Sequence, residues 1–166
     1  MIFQETSQWV INQSPWTGKC KTQTRRLVKP GDYGVTDEND TYLKVNSNGR
    51  VLYKRGGIYN VQPGVGEKSI AKIQITQILR EDIRLISIAD AIAEGFKDQS
   101  RFIFWWAYKY DPILSVSKNM GDFEGINIWN CKDDNIVLDY IKTRDDKFYQ
   151  AWVYKFSLVD GDKHER

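Results

Sequence analysis

The sequence predicts an α+β domain or a small β-barrel decorated with short helices. Segments rich in β-branched and aromatic residues recur along the 166 residues, and shorter segments with helical spacing lie between them. Hydrophobic residues make up 41% of the chain and aromatic residues 13%, which is enough to bury a core and excludes a disordered chain. The length fits a single domain over residues 1–166.

Five segments have the composition of strands: residues 41–45, 50–54, 57–61, 69–79 and 152–158. The first two flank Asn46–Gly49, whose Asn-Gly step favours the positive φ angles of a tight hairpin turn. In residues 69–79, apolar and polar residues alternate with the period of a strand that has one buried face. Residues 152–158 show the same alternation and predict a closing strand.

Four segments suit helices: residues 7–13, 88–94, 99–110 and a part of 135–150. Ser87 fits the N-cap of the second helix, with Asp90 at its third position, and Gly95 suits a left-handed stop after Glu94. The third helix should end at Asp111-Pro112, and its aromatic residues suggest core packing. Residues 113–133 have the composition of a long loop or an insertion.

The scarcity of histidine and cysteine excludes several kinds of chemistry. The single histidine, His164, lies in a charged C-terminal tail, so we expect neither a histidine-containing catalytic triad nor a metal site with several histidines. Two cysteines, Cys20 and Cys131, make neither a zinc cluster nor a secreted disulfide framework. We expect no metal and no cofactor, and proton carriers drawn from Lys, Glu, Asp or Tyr.

Charge and hydropathy also limit the partners. Lys and Arg number 24 against 22 Asp and Glu, so any nucleic-acid contact comes from a local patch and DNA coating is not expected. The N-terminus lacks the pattern of a signal peptide, and the longest apolar stretch, residues 102–107, is too short to cross a bilayer. We expect a soluble cytoplasmic protein without a membrane partner.

A dense basic run is the strongest functional candidate. Residues 18–26 hold four cations and two hydroxyl groups, with no acidic residue to neutralise the cations. One interpretation is an anionic or electron-rich ligand. The other is a solvated edge strand, where Lys and Arg prevent edge-to-edge pairing.

Four segments, in this order, resemble the ASCH domain: residues 18–26, 57–64, 89–96 and 152–156. ASCH domains belong to the PUA-like superfamily of small β-barrels associated with RNA and modified bases. The resemblance covers about residues 17–96 and 150–158, and it implies a PUA-like barrel with an aromatic-rich helical insertion at 97–149.

One branch of that family, the N4-acetylcytidine amidohydrolases, uses a lysine and a threonine three positions apart and a glutamate in a short helix. The resemblance places these roles on Lys21, Thr24 and Glu94. Cleaving an acyl group from an exocyclic amine needs a nucleophile, a base and an acid for the leaving nitrogen. Thr24 would attack, Lys21 would be the base if burial and neighbouring cations lower its pKa, and Glu94 would donate the proton. Because strand side chains alternate, this requires a turn or bulge within residues 21–24.

Other residues are candidates for substrate binding. Arg25 and Arg26 suit a phosphate or a pyrimidine carbonyl, and Trp16 and Tyr59 suit stacking on a base. Core packing is the alternative for the aromatic residues, and structural or solvent-exposed roles are the alternatives for Lys21, Thr24 and Glu94.

The sequence therefore leaves three functional hypotheses. The first is a metal-independent amidohydrolase that acts on N4-acylated cytosine or cytidine. The second is a non-catalytic module that binds RNA or a modified base, and the third is a ribonuclease of the same superfamily. In each case the partner is a modified nucleoside or RNA.

Overall fold

The computed structural model describes residues 4–112 and 134–159. Over these residues the protein is α+β, with antiparallel sheets and short helices. The strands are β1 Gln23–Leu27, β2 Asp32–Thr36, β3 Tyr42–Ser47, β4 Arg50–Lys54, β5 Ile58–Val61, β6 Ala71–Asp82 and β7 Gln150–Leu158. The helices are α1 Ile88–Ala93, α2 Gln99–Tyr110 and α3 Asp134–Lys142, and 3₁₀ helices cover Gln4–Val10, Ile83–Leu85 and Asp146–Phe148. The loop or insertion predicted at 113–133, Cys131 and His164 lie outside the described residues.

The larger sheet has the strand order β1-β7-β6-β5, so the closing strand β7 is central. Its alternation predicted one buried face, but both faces are buried. Ala151 packs with α2 and the 3₁₀ helix at Ile83–Leu85, whereas Trp152 and Tyr154 pack on the other side with Val45 and β6. The alternation of large aromatic side chains predicts the face that Trp152 and Tyr154 bury. It does not predict that small residues such as Ala151 are buried on the other face, against α2.

The long strand β6 follows the predicted alternation in its first half. Ile73 and Ile75 are buried, while Lys72, Gln74 and Thr76 are exposed. A register shift between Ile75 and Gln77 then changes the parity, so that Ile78 is the next buried position. Strand β6 continues past the predicted end at residue 79, because its pairing with β7 extends to Asp82.

The smaller sheet has the order β2-β3-β4 and contains the predicted hairpin. Asn48 and Gly49 both have positive φ, at 48° and 78°, which is the geometry that the Asn-Gly step favours. Strand β2 was not predicted. At Gly34 a Cβ would lie 2.4 Å from the Tyr42 ring and 2.9 Å from the Trp152 ring, so glycine allows the two sheets to approach at this point.

The helices agree closely with the predicted capping signals. Ser87 accepts a hydrogen bond from the backbone N–H of Asp90, and α1 ends at Gly95, which has a φ of 94°. Helix α2 has the predicted bounds, and Phe102 and Trp106 are fully buried in the core. Helix α3 is shorter than the 135–150 segment, because a 3₁₀ helix and β7 take over its C-terminal part.

None of the helices in residues 4–112 and 134–159 has the length and apolar character needed to span a bilayer.

Candidate functional site

Lys21 and Glu94 form a buried ion pair. Lys21 Nζ lies 2.7 Å from Glu94 Oε2, and the two side chains are 3% and 2% exposed. Backbone bonds bring the two segments together: the Lys21 N–H donates to the Trp9 carbonyl, and the Thr22 N–H donates to the Ala93 carbonyl. The segment before β1 is thereby fixed against the C-terminal end of α1, where Glu94 is the C-cap residue.

Arg25 is the second partner of Glu94. Its Nη1 atom lies 3.0 Å from Glu94 Oε1, and its Nε donates to Glu81 at the end of β6. The guanidinium also lies over the Phe102 ring of α2, with Cζ 5.6 Å from the ring centroid. Both oxygens of Glu94 are therefore held by cations, and the carboxylate orientation is fixed.

Burial dominates the electrostatics of Lys21. Burial lowers the pKa of the Lys21 amine below its usual value, and Glu94 partly offsets this by attracting the charged form. The neighbouring positive charges of Arg26 and Arg25 lower the same pKa further. A lysine that acts as a general base requires a lowered pKa. Burial, Arg25 and Arg26 are among the causes that the sequence predicts, and Lys19, which it also predicts, is not among those found.

The register of β1 separates its side chains into two faces. Gln23 and Arg25 face α1, because Gln23 Nε2 donates to the Asp90 carbonyl at 2.7 Å and Arg25 contacts Glu94. Thr24 and Arg26 lie on the opposite face, where they pair with Tyr154 and Trp152 of β7.

The predicted break in alternation between Lys21 and Thr24 precedes β1. The β1–β7 register runs from Gln23 to Leu27 without a shift. The Lys21 amine bonds to Glu94, the carboxylate that Arg25 also contacts, so the amine lies on the Arg25 side of this segment while Thr24 faces the other side. A turn or bulge that brings Lys21 and Thr24 to one face stays a prediction.

A pocket of about 510 Å³ opens beside β1, where Arg26 and Leu27 line it and Thr24 does not. Five strands contribute to it, and the lining residues with polar or aromatic groups include Arg26, Asp32, Tyr53, Gln62, Trp152 and Tyr154. Arg26 lines this pocket, and its positive charge also helps to lower the pKa of Lys21.

The two predicted stacking residues lie in different places. Trp16 is 54% exposed and packs edge-on against Trp9, with centroids 5.1 Å apart, and against Phe96, two residues after Glu94. Tyr59 packs against Tyr53 of the pocket, with centroids 5.2 Å apart, and its hydroxyl accepts a hydrogen bond from the Lys54 N–H. Tyr59 therefore supports the pocket wall, and Trp16 is available at the surface near the end of α1.

The sequence analysis missed Glu81, Tyr53, Trp152 and Tyr154. Glu81 lies in the part of β6 beyond residue 79, where the sequence predicts no strand, so its position opposite Arg25 had no local signal. The aromatic residues were assigned to strands, and only the packing of two sheets shows that three of them line one pocket.

Within the part of the chain that the structure describes, no group of three or more His, Cys, Asp or Glu residues is arranged to hold a metal ion.

Comparisons with known proteins give little to place beside this geometry. No family model matches the chain, and no curated protein matches it. A solved structure, protein EF3133 from Enterococcus faecalis V583, described by the family model DUF984, is similar over 98% of this chain and 75% of its own. The identity is 14% and the TM-score is 0.48, and a match at this level carries no functional conclusion.

Proposed function

We propose that the protein is a metal-independent amidohydrolase that removes an acyl group from N4-acylated cytosine or cytidine, on a PUA-like barrel of the ASCH type. The observation that carries the proposal is the buried Lys21–Glu94 pair, in which the lysine pKa is lowered and the amine is held at 2.7 Å from a fixed carboxylate. A lysine whose pKa is lowered is unprotonated, and so able to accept a proton, at a lower pH than a solvated lysine.

In the proposed reaction, the Thr24 hydroxyl attacks the acyl carbon and Lys21 takes its proton. The C–N bond then breaks, and the exocyclic nitrogen leaves as a neutral amine after it receives a proton. A water molecule, again deprotonated by Lys21, releases the acyl group from Thr24 as a carboxylic acid. One water is consumed, and the products are the free cytosine amine and the acid.

The geometry suggests a change in the role of Glu94. The sequence analysis assigned it the proton for the leaving nitrogen. Glu94 accepts hydrogen bonds from Lys21 and Arg25, which is the bonding of a carboxylate. We therefore assign the returned proton to the Lys21 ammonium, while Glu94 orients the amine and Arg25 positions Glu94.

The pocket beside β1 suits the substrate of this reaction. A nucleobase lying on the Thr24 and Arg26 face would direct its exocyclic group toward the start of β1, where Lys21 lies. Arg26 would supply a cation for a carbonyl or phosphate oxygen of that substrate. The buried Arg25, in contrast, supports Glu94, so we propose that Arg26 carries the direct contact.

Incubation of the purified protein with N4-acetylcytidine, N4-acetylcytosine and a simple anilide, followed by chromatography of the products, tests the proposal. We expect acetate and the free amine from the two cytosine compounds, with chelator present. Lys21→Met should reduce kcat/KM about 10²- to 10⁴-fold, the range of general acid–base catalysis. Lys19→Met, which changes an exposed lysine two residues away, is the matched control and should retain activity.

Two results would replace the proposal. The first is that wild-type protein leaves all N4-acylcytosines intact but binds RNA, with an affinity that falls with salt and in Arg26→Ala but not in Thr24→Ala. This result would identify the non-catalytic module that binds RNA or a modified base. RNA cleaved in the presence of chelator would indicate the ribonuclease.

A further inference from the structure

A second pocket, of about 590 Å³, opens on the smaller sheet, and among the described residues it shares no lining residue with the pocket beside β1. Its lining residues are Val35, Leu43, Lys44, Lys54, Arg55 and Gly56. Lys44 of β3 pairs with Val35 of β2 and with Lys54 of β4, so these three residues form one row across the sheet. The next residue, Val45, is fully buried in the core, so the row and the outer pocket that it lines belong to the opposite face of the sheet.

Three cations meet at the outer pocket without a counter-charge. Across residues 4–112 and 134–159, no carboxylate forms an ion pair with Lys44, Lys54 or Arg55. This includes the acidic residues of the nearby turn at 37–40, between β2 and β3. Like charges directly opposite each other on two paired strands are destabilising, so the Lys44–Lys54 pair lowers the stability of the free protein.

Protection of an exposed sheet edge does not account for this cluster. Strand β4 is an edge strand, where a lysine such as Lys54 commonly prevents pairing with another chain. Lys44, however, lies on β3, the central strand of the same sheet, and it is half-buried. Because a central strand has no edge to protect, a lysine at this position opposite Lys54 indicates a negatively charged ligand.

A phosphate monoester matches the charge and the lining of the outer pocket. It carries about 1.5 to 2 negative charges at pH 7 and has three strong acceptor oxygens, one for each cation. A carboxylate has a single charge and two oxygens, which leaves part of the cationic cluster without a partner. Val35 and Leu43 supply the apolar part of the lining, and Leu43 is 40% exposed, so an apolar group attached to the phosphate can contact them.

We propose that the outer pocket is a binding site for a small organic phosphate monoester. Lys44, Lys54 and Arg55 bind the phosphate, and the planar guanidinium suits two of its oxygens. Val35 and Leu43 contact the organic group. The inference goes beyond the proposed function and does not depend on it, because none of the described residues assigned to hydrolysis lines this pocket.

Isothermal titration with phenyl phosphate, inorganic phosphate and phenyl sulfate tests the assignment. At about 0.15 M salt, where the Debye length is about 8 Å, we expect phenyl phosphate to bind most tightly, because it alone combines the phosphate charge with an apolar ring. Lys44→Gln and Arg55→Gln should each weaken its binding about 10-fold, the loss of one charged hydrogen bond. Leu43→Ser should weaken phenyl phosphate binding and leave inorganic phosphate binding unchanged.

Arg50→Gln is the matched control for the charge change in Arg55→Gln. Arg50 is an exposed cation at the opposite end of β4, and it does not line the outer pocket. Arg50→Gln should therefore bind phenyl phosphate as wild type does.

Thermal unfolding separates binding from folding. Lys54→Gln removes the like-charge pair, so its melting temperature without ligand should equal or exceed the wild-type value. Phenyl phosphate should raise the melting temperature of wild type and raise that of Lys54→Gln less. A lysine with a purely structural role would give a lower melting temperature when it is replaced.

Several results would overturn the proposal. It is wrong if millimolar phenyl phosphate does not bind to wild type, or if phenyl sulfate binds as tightly. It is also wrong if Arg50→Gln loses as much affinity as Arg55→Gln, since this would show general charge attraction. Variants that lose affinity for an oligonucleotide but not for phenyl phosphate would indicate a nucleic-acid surface instead.

Discussion

Replacing Glu94 by glutamine is expected to be far more destabilising than removing its lysine partner. Glu94 holds two cations, at 2.7 Å and 3.0 Å, in a site that is 2% exposed. Removing one partner of a buried ion pair costs about 3 to 5 kcal/mol, because the remaining charge is left desolvated. Arg25 retains Glu81 in Glu94→Gln, so most of the loss falls on Lys21.

The ability of lysine to lose its proton limits this loss. Once the pKa of Lys21 lies below the pH, the amine is neutral, and a further fall in its pKa does not destabilise the protein more. The neutral amine can still donate a hydrogen bond to the glutamine oxygen. We therefore expect Glu94→Gln to lower the free energy of unfolding by about 3 kcal/mol at pH 7, the low end of the range for a broken buried pair. In Lys21→Met, Glu94 keeps Arg25 and an apolar side chain of similar volume fills the site, so the cost should be about 1 kcal/mol or less.

Equilibrium unfolding in urea, followed by tryptophan fluorescence, measures both differences. The two variants should differ by about 2 kcal/mol at pH 7, with wild-type slopes. Equal stabilities for Glu94→Gln and Lys21→Met, or a Glu94→Gln variant as stable as wild type, would refute the view that Glu94 is the anchor of the cationic cluster. Lys19→Met is the control for the loss of one positive charge in the same segment.

Three other predictions concern pH and packing. Because the folded-state pKa of Lys21 is lowered, its unfolded state binds more protons, so wild-type stability relative to Lys21→Met should rise with pH from that pKa toward the ordinary value of 10.5; urea titrations at several pH values would show a flat difference if the lysine were not desolvated. Gly34→Ala should destabilise by about 1 to 3 kcal/mol, since its methyl group meets the Tyr42 and Trp152 rings, and a neutral result would contradict close packing of the sheets. Ser87→Ala removes the α1 N-cap and should lower the free energy of thermal unfolding by about 1 kcal/mol while activity is retained. A loss of activity in this variant would mean that the N-cap also fixes the position of Glu94.

Local signals explain most of what the sequence predicts correctly. The turn at Asn48-Gly49 depends on two residues that tolerate positive φ, and α1 depends on a cap and a glycine stop close together in the chain. Helix α2 follows from apolar residues at helical spacing and from Asp111-Pro112, which ends it.

The features that the sequence does not predict depend on distant packing. Strand β2 is short and contains Gly34, and it becomes a strand through pairing with β3 and contact with Trp152. The burial of β7 on both faces depends on layers supplied by other parts of the chain.

The same limit applies to the site. The capping pattern of α1 places Glu94 at a helix end, but it does not show that Arg25 would be its second partner or that Glu81 would hold Arg25. Arg25 and Arg26 are adjacent in sequence, and only the strand register assigns one to an ion-pair network and the other to a pocket.

The pH dependence of kcat/KM for N4-acetylcytidine tests most directly whether the buried amine is the base. Wild-type kcat/KM should rise with pH and then level off, with the midpoint of the rise below 10.5, the usual lysine pKa. Lys21→Met should lose this rise with pH and most of its rate. Full activity in Lys21→Met, or wild-type hydrolysis with no such limb, would show that the ion pair only stabilises the fold.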